Sequence, residues 1–534
     1  MVDYSRTRFL IVDDFTDFRS ALTGMLRQMG ANHIDAVGTG EETLALCRRN
    51  HYDVILHDFN LGRGKNGQQV LEELHHQQLL SPHCVFVLIS AESSQAMVLG
   101  ALECEPDSYL TKPFNQASLQ QRLDRLIAMK TALRPALEAQ RESDYAGMLA
   151  ACKQIIATYP RYIPQCQRLL VSALAGLGQH EEQEQLLRRL IGDRPVPWAM
   201  VALADLYRVT GRLTEAQAAY EEGIRQFPMI PALYDGAAAT ALALDDPQQA
   251  QQHLQQGLRL SPNSLHRQQT MGELAVRNED HEQAAKAYRQ AVELGRHSLF
   301  RNPENHLRLV SSLHAQSADA AMNQRHIVEI RQTLSELDRT WRDDPALAVR
   351  SRLAQAQTME KLGQSAEAAR LSEQTIAQLK EMPGFFSADA AMQVSTQLRS
   401  LGQSQQADAV LATCAEMYGD DPDVMANLVA HTDNPDILAA GSEALEWNRQ
   451  GITLYQQKNY PEALELFRRA LIAQPRNISF ALNTAQSLLR LLARQPSAEQ
   501  QQECRDCLQR ASHMPADDHR RDRYLKLCDR LEAL

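Results

Sequence analysis

Through the middle of this chain the sequence matches itself at a step of 34 residues. Ala216, Ala250 and Ala284 stand at that spacing, as do Tyr220, Leu254 and Tyr288, then Gly223, Gly257 and Ala291, and Pro228 with Pro262. Leu187, Leu190 and Pro195 carry the pattern one unit further back, at a step of 33. A period of this length leaves few folds open. One unit is too short to bury an apolar face alone, so neighbouring units must stack into a solenoid. The columns ask for paired helices. A small residue such as Ala216 lets the second helix approach the first, Tyr220 fills the groove between them, Gly223 admits the next unit, and Pro228 ends the ladder because it has no N–H to donate.

The pattern returns near the end of the chain, where Trp447, Gly451, Ala463, Phe467, Ala470 and Pro475 supply the large first residue, the small packing residues, the aromatic and the terminating proline. These positions resemble the tetratricopeptide repeat. Between the two clear regions the copies are degenerate. Gly363 with Ala368, and Gly402 with Ala407 and Leu411, keep a turn and a small residue while the step stretches to 39. The region from about residue 132 onward is expected to hold about nine to eleven hairpins of about 34 residues each.

Before residue 129 the period is different. Arg8 to Val12, His33 to Val37, Asp53 to His57, Val85 to Ile89 and Ser108 to Leu110 are short apolar runs. They alternate with helical stretches such as Phe15 to Met29, Glu41 to Arg49 and Gly67 to Gln77. Strands alternating with helices predict a doubly wound α/β domain with a parallel sheet, whose ligands sit at the carboxyl ends of the strands. That edge is chemically loaded. The first run ends in Asp13 and Asp14, the third in Asp58, the fourth in Ser90, and the fifth leads to Lys112 and Pro113. Like charges crowded together raise one another's pKa unless a cation is present, so the carboxylates predict a hard divalent ion, Mg2+ being the natural choice. With Asp14 and Asp58 holding it, an oxygen of Asp58 is free to attack a phosphoryl group, while Lys112 and the Ser90 hydroxyl meet the phosphoryl oxygens. Asp17 and His57 read as local surface or loop residues.

Together these strand ends resemble the receiver domain of bacterial two-component response regulators, over roughly residues 6–128, with a flavodoxin-like fold. The resemblance implies that Asp58 is the phosphoacceptor for a sensor histidine kinase and that Asp13, Asp14 and Asp58 bind Mg2+ with the backbone carbonyl of Asn60. It also implies that Ser90 and Tyr109 are the switch positions. The loop Leu61-Gly62-Arg63-Gly64-Lys65-Asn66-Gly67 departs from the family, which commonly carries a proline three or four residues after the acceptor and a glycine about eight after it. Here there is no proline, Gly67 lies nine residues on, and the loop is richer in glycine and more basic.

The expected organisation is a receiver over 1–128, a helical linker over 129–143, repeats over 144–300, degenerate hairpins over 301–440 and C-terminal repeats over 441–534. The formal net charge of −11 works against nucleic acid as a partner, because phosphate binding needs a local surplus of Lys and Arg. The first 126 residues hold only 11 Lys and Arg against 16 Asp and Glu. No apolar run approaches a membrane span, and the start of the chain lacks a signal peptide's basic region, so a cytoplasmic chain without membrane insertion is expected. Nine cysteines make no disulfide framework, and Cys504 with Cys507, a lone CxxC without a second pair, reads as two ordinary helical thiols.

The combined expectation is a phosphorylation-controlled adaptor, not an enzyme beyond the receiver's own phosphoryl transfer and autodephosphorylation. A protein or peptide would occupy the groove of the repeats. Phosphorylated Asp58 would draw in Ser90 and let Tyr109 rotate, remodelling Ala91 to Cys104 and Asn115 to Leu126. The receiver would then either occlude the solenoid or form a homodimer that presents two of them. The alternatives are a constitutive docking scaffold with a non-signalling receiver and a DNA-binding transcriptional regulator. The second requires a basic helix-turn-helix segment, and Glu503 to Leu534 shows only mixed charge.

Overall fold

A computed structural model describes residues 2–62, 64–91, 94–316, 323–381, 387–432, 434, 435, 437, 442–512, 514 and 518–533. Arg63 and the expected boundary at 440/441 therefore lie outside the described residues. Packing divides the chain into two compact units, 1–312 and 313–534.

The first unit opens with a five-stranded parallel sheet. Its strands are β1 (Arg8–Val12), β2 (His33–Val37), β3 (Val54–Asp58), β4 (Val85–Ser90) and β5 (Ser108–Thr111), in spatial order β2-β1-β3-β4-β5. Helices α1 (Thr16–Gln28), α2 (Gly40–Cys47), α3 (Gly67–His76), α4 (Gln95–Glu103) and α5 (Gln116–Arg141) cover both faces. Successive residues of a strand point to opposite faces, and each face has its own core. Phe9, Ile11, Val54, Leu56, Val85 and Val87 pack with Leu22 and Leu26 of α1 and Leu119, Leu123 and Leu126 of α5. Leu10, Val12, Ile55, Phe86 and Leu88 pack with Leu44 of α2 and Val70, Leu71 and Leu74 of α3. The central strands β3 and β4 are buried throughout, as parallel strands between two helical layers must be.

One finding overturns a reading made from the sequence. His57 is not a surface residue: it is fully buried in β3, stacked on Phe86 with ring centroids 5.7 Å apart. Its Nδ1 donates to the carbonyl of Asp58 at 2.6 Å, a bond that lets a polar ring occupy an apolar strand.

Helix α5 runs without interruption from the receiver-like sheet into the helical region. Its first half carries Leu119, Leu123 and Leu126 into the sheet's core, and its second half carries Leu133 and Ala136 against Cys152, Ile155, Tyr162 and Cys166. Antiparallel helices follow: α6 (Tyr145–Thr158), α7 (Ile163–Gly176), α8 (His180–Asp193), α9 (Pro197–Val209), α10 (Leu213–Gln226), α11 (Pro231–Ala243), α12 (Pro247–Leu260), α13 (Leu265–Arg277), α14 (His281–Gly295) and α15 (Glu304–Gln316), along which the division at 312/313 falls. The 34-residue columns fall where hairpin packing needs them. Ala216, Tyr220, Ala250, Leu254, Ala284, Tyr288 and Ala291 are all buried, and Pro228 and Pro262 stand just beyond the ends of α10 and α12.

The turns share a backbone conformation that their residues do not advertise. Gly211, Asp245 and Glu279, again 34 apart, have φ of 77°, 61° and 58°. A left-handed residue is strained unless it is glycine, so at two of the three turns hairpin packing overrides local preference.

The second unit is also helical. Its degenerate hairpins pair Pro345–Lys361 with Ser365–Glu381 and Ala388–Ser400 with Ser404–Tyr418. Ala368, Ala407 and Leu411 are buried between them. The clear C-terminal copy pairs Ser442–Gln456 with Tyr460–Ala473. There, a Cβ added at Gly451 would stand 2.7 Å from the ring of Phe467. In the first unit Gly272, likewise sixteen residues before its aromatic, leaves 2.6 Å to the ring of Tyr288. Cys504 and Cys507 lie buried in the apolar core of the second unit, and burial pushes both thiols up to about 12. Among the described residues no helix is long and apolar enough to cross a membrane.

Two tests follow from this packing. Gly272→Ala forces a methyl into the ring of Tyr288 and is expected to destabilise the protein by about 1–3 kcal/mol, read from denaturant midpoints. The second concerns His314, buried in the second unit, whose Nε2 donates at 2.9 Å to Thr358 Oγ1 while that hydroxyl donates to the carbonyl of Ala354. Burial, helped by Lys361, pulls its pKa down to about 4 from 6.5. Below pH 6.5 the unfolded chain takes up a proton that the folded chain refuses, so the contribution present above 6.5 is lost as pH falls toward 4. His314→Leu is expected to remove up to about 3 kcal/mol of that acid sensitivity, measured by urea titrations at pH 7 and pH 4.5.

Candidate functional site

Parallel pairing places the ends of β1, β3, β4 and β5 side by side. Val12 is level with His57, Asp58 with Ile89, and Ser90 with Thr111. The chain must leave the sheet after each of these residues, so Asp13, Asp58, Ser90 and Lys112 gather on one edge. The Lys112–Pro113 peptide bond is cis.

The centre of the site is an ion-pair bridge. Lys112 Nζ donates to Asp13 Oδ2 at 2.7 Å and to Asp58 Oδ1 at 2.6 Å. It also lies over the face of Phe18, 4.1 Å from the ring centroid, and Phe18 meets Phe114 edge-on. Burial pushes the Asp58 carboxyl above the ordinary carboxylate range, against the pull of Lys112. Burial works against the Lys112 ammonium too, but its bonds to Asp13 and Asp58 outweigh it and raise its pKa. A buried carboxylate that survives beside one cation and one like charge is a strong oxygen nucleophile held in place.

The remaining oxygens are oriented by backbone. The amide of Phe15 donates to Asp13 Oδ1 at 2.9 Å, and that of Asn60 to Asp58 Oδ2 at 3.1 Å. Asp14 is exposed, with Oδ2 3.4 Å from where a Cβ on Gly62 would stand. Ser90 is buried at the end of β4. Tyr109 is half-buried on β5 and borders the same apolar core as Met97 and Cys104.

Among the described residues no three carboxylate, thiol or imidazole groups converge into a ready-made metal cage. The donor chemistry nonetheless fits a divalent cation. Asp13 and Asp58 share one ammonium, and Asp14, next to Asp13 in the chain and exposed, adds a carboxylate that Lys112 does not bridge.

Sequence reading missed Phe18, misplaced His57 and gave Gly67 no role in the site. Phe18, one helical turn after Asp14, shields the bridge. His57 lies beneath it, held neutral by burial with its pKa down to about 4, and its Nε2 has no hydrogen-bond partner among the described residues. Gly67 admits the close approach of α3: a Cβ there would stand 2.7 Å from the Asp58 carbonyl oxygen, 2.8 Å from Leu88 Cδ2 and 3.1 Å from His57 Nδ1. The Gly67 amide also donates to the Phe59 carbonyl at 2.8 Å, so the start of α3 is tied to the residue after the acceptor. Gly67 thus does its work at nine residues from Asp58, one later than the family's usual spacing.

Two family models match parts of the chain. The response regulator receiver domain family matches residues 9–124, and the tetratricopeptide repeat family matches residues 444–477. The chain is 28% identical over 120 residues to chemotaxis protein CheY-3 of Vibrio cholerae, spanning 22% of this chain and 91% of that protein. It is 24% identical over 120 residues to chemotaxis protein CheY of Pseudomonas aeruginosa, spanning 22% and 95%. Among solved structures, response regulator protein TrrA of Thermotoga maritima in complex with Mg2+-BeF is 28% identical, covering 22% of this chain and 98% of that one with a TM-score of 0.20.

Gly67→Ala is expected to destabilise the receiver by about 1–3 kcal/mol, because the methyl must displace backbone at Asp58. Hydrogen exchange of the β3 peptide in the full chain, faster in the variant than in the native protein, is the readout.

Proposed function

Since the chain carries a response regulator receiver joined to tetratricopeptide repeats, we propose that it is a phosphorylation-switched, cytoplasmic regulator of a two-component phosphorelay whose repeats bind a protein or peptide partner. The observation that carries this reading is the Lys112 bridge between Asp13 and Asp58 at the carboxyl edge of the sheet. An Asp58 carboxylate oxygen attacks phosphorus of the donor phosphohistidine, the P–N bond breaks with its electron pair returning to the imidazole, and an acyl phosphate remains on Asp58. Lys112 already touches the acceptor and meets the incoming phosphoryl oxygens as their charge arrives. Asp13, Asp14, Asp58 and the carbonyl of Asn60 are the groups that would hold Mg2+, which when bound supplies charge neutralisation for the transfer. Water attack on the acyl phosphate restores the carboxylate, so the only reactions assigned to the chain are its own phosphorylation and dephosphorylation.

Switching belongs to Ser90 and Tyr109. Ser90 ends the strand beside the acceptor and is the hydroxyl placed to follow the phosphoryl group. Tyr109 borders the same core as Met97 of α4, which favours its moving with that helix. The repeats bring no catalytic constellation of their own to this reading, and the alternating helices offer a surface for a partner segment.

Incubation of the full chain with acetyl phosphate and Mg2+ is expected to yield a retarded band on a phosphate-affinity gel. Asp58→Ala is expected to abolish it. No retarded band in the native protein would overturn the switch and leave a constitutive docking scaffold.

A further inference from the structure

The receiver's α3–α4 face is not bare. Within the first unit it is covered by helix turns of the same chain that lie some 160 or more residues further on. The centre of this contact is Arg267 on α13, whose side chain is only 4% exposed. Its guanidinium donates to Glu103 Oε1 at 2.6 Å, to both carboxylate oxygens of Asp235 at 2.6 and 2.7 Å, and to the carbonyl of Ser261 at 3.0 Å. Ser261, fully buried in the α12–α13 turn, donates its hydroxyl to the other oxygen of Glu103 at 2.7 Å. Glu103, the last residue of α4, is therefore gripped on both carboxylate oxygens by the solenoid.

Gly100 makes the match steric as well as ionic. It is buried, and a Cβ built there would meet one atom within 4 Å, Ser261 Oγ at 3.4 Å. That one neighbour belongs to the solenoid. A second contact lies on the α3 side. Lys65 Nζ donates to the carbonyl of His297 at 2.8 Å while pairing with Glu73 at 2.9 Å, and Gln69 Nε2 donates to the carbonyl of Leu294 at 3.1 Å. Lys65 sits in the glycine-rich loop that departs from the family pattern, and contact with the solenoid gives that departure a use.

Both docked helices issue directly from the site. β3 ends at Asp58 and leads to α3 through Gly67. β4 ends at Ser90 and leads to α4. A change of charge and volume at Asp58 therefore acts on the two elements that the solenoid holds. Holding them is inexpensive to reverse: Arg267 keeps Asp235 when the receiver leaves, and Glu103 returns to water, so no buried charge is stranded unpaired.

We propose that the solenoid turns around Ser261–Gln268 and Leu294–Phe300 form a docking surface for the chain's own receiver, with Arg267 as the latch on Glu103, closed in the unphosphorylated protein and opened by phosphorylation of Asp58. Its closing stands on the contacts above, and only its opening rests on the phosphorylation reading. Because α5 already joins receiver and repeats, the docked state forms at high effective concentration, and a modest loss of complementarity suffices to open it.

The test is hydrogen–deuterium exchange of the full chain, following the peptides over 95–104 and 261–268. Gly100→Gln puts a side chain into Ser261 while improving helix propensity in α4, and Glu103→Lys reverses the charge facing Arg267. Each variant is expected to raise exchange of both peptides by about tenfold or more without any phosphodonor. Acetyl phosphate with Mg2+ is expected to do the same in the native chain and not in Asp58→Ala. Unchanged 261–268 exchange in both variants overturns the docking surface. Opening in the variants, with none in a native chain that the gel shows to be phosphorylated, overturns the latch's control by Asp58. Opening in the variants without any gel shift in the native chain upholds the docking surface and overturns the phosphorylation reading.

Discussion

One ammonium between two carboxylates organises the receiver of this protein. Asp13 and Asp58 stand on neighbouring strands of a parallel sheet, where the topology brings their side chains together whether or not their charges agree. Burial and the neighbouring Asp13 charge push the Asp58 carboxyl up, and Lys112 pulls against them. Both carboxylates are fixed by short bonds to Lys112 and by the amides of Phe15 and Asn60. Phe18 covers the ammonium, and the neutral imidazole of His57 packs below without adding charge. The site is an electrostatic balance that one further dianion at Asp58 must disturb.

What that disturbance reaches is set by connectivity. The segments leaving β3 and β4 both touch the solenoid of the same chain, through Lys65 and Gln69 on one side and Glu103 on the other. Helix α5 contributes to the sheet's core with one half and to the first hairpin's core with the other. These ties are why the receiver and the repeats up to residue 312 form one compact unit, although the residue pattern changes near 128.

Much of the fold is legible in residue order because it depends on local periodicity. Five apolar runs become five strands, and the edge where they end collects the residues that a phosphoryl acceptor needs. The 34-residue columns become buried hairpin contacts since small and aromatic positions must alternate to let helices approach. Gly451 and Phe467 were readable as positions of the C-terminal copy, while the matching pair Gly272 and Tyr288 came from the structure. His57 was not: a polar residue in a buried strand looks like a loop residue until its backbone partner is known. Nor do Asp245 and Glu279 reveal their left-handed turns, because stacking imposes that conformation on residues that do not favour it.

By itself the sequence determined which side chains end the strands and which repeating unit builds the rest, since strand ends, helix faces and turn spacings follow from periods of two, 3.6 and 34. Only the tertiary structure decided that Glu103 meets Arg267 and that Lys65 meets the carbonyl of His297. Such pairs are far apart in sequence and share no period. They exist because the stacking of successive hairpins carries distant turns back to the receiver, where charge and shape select which side chains remain in contact.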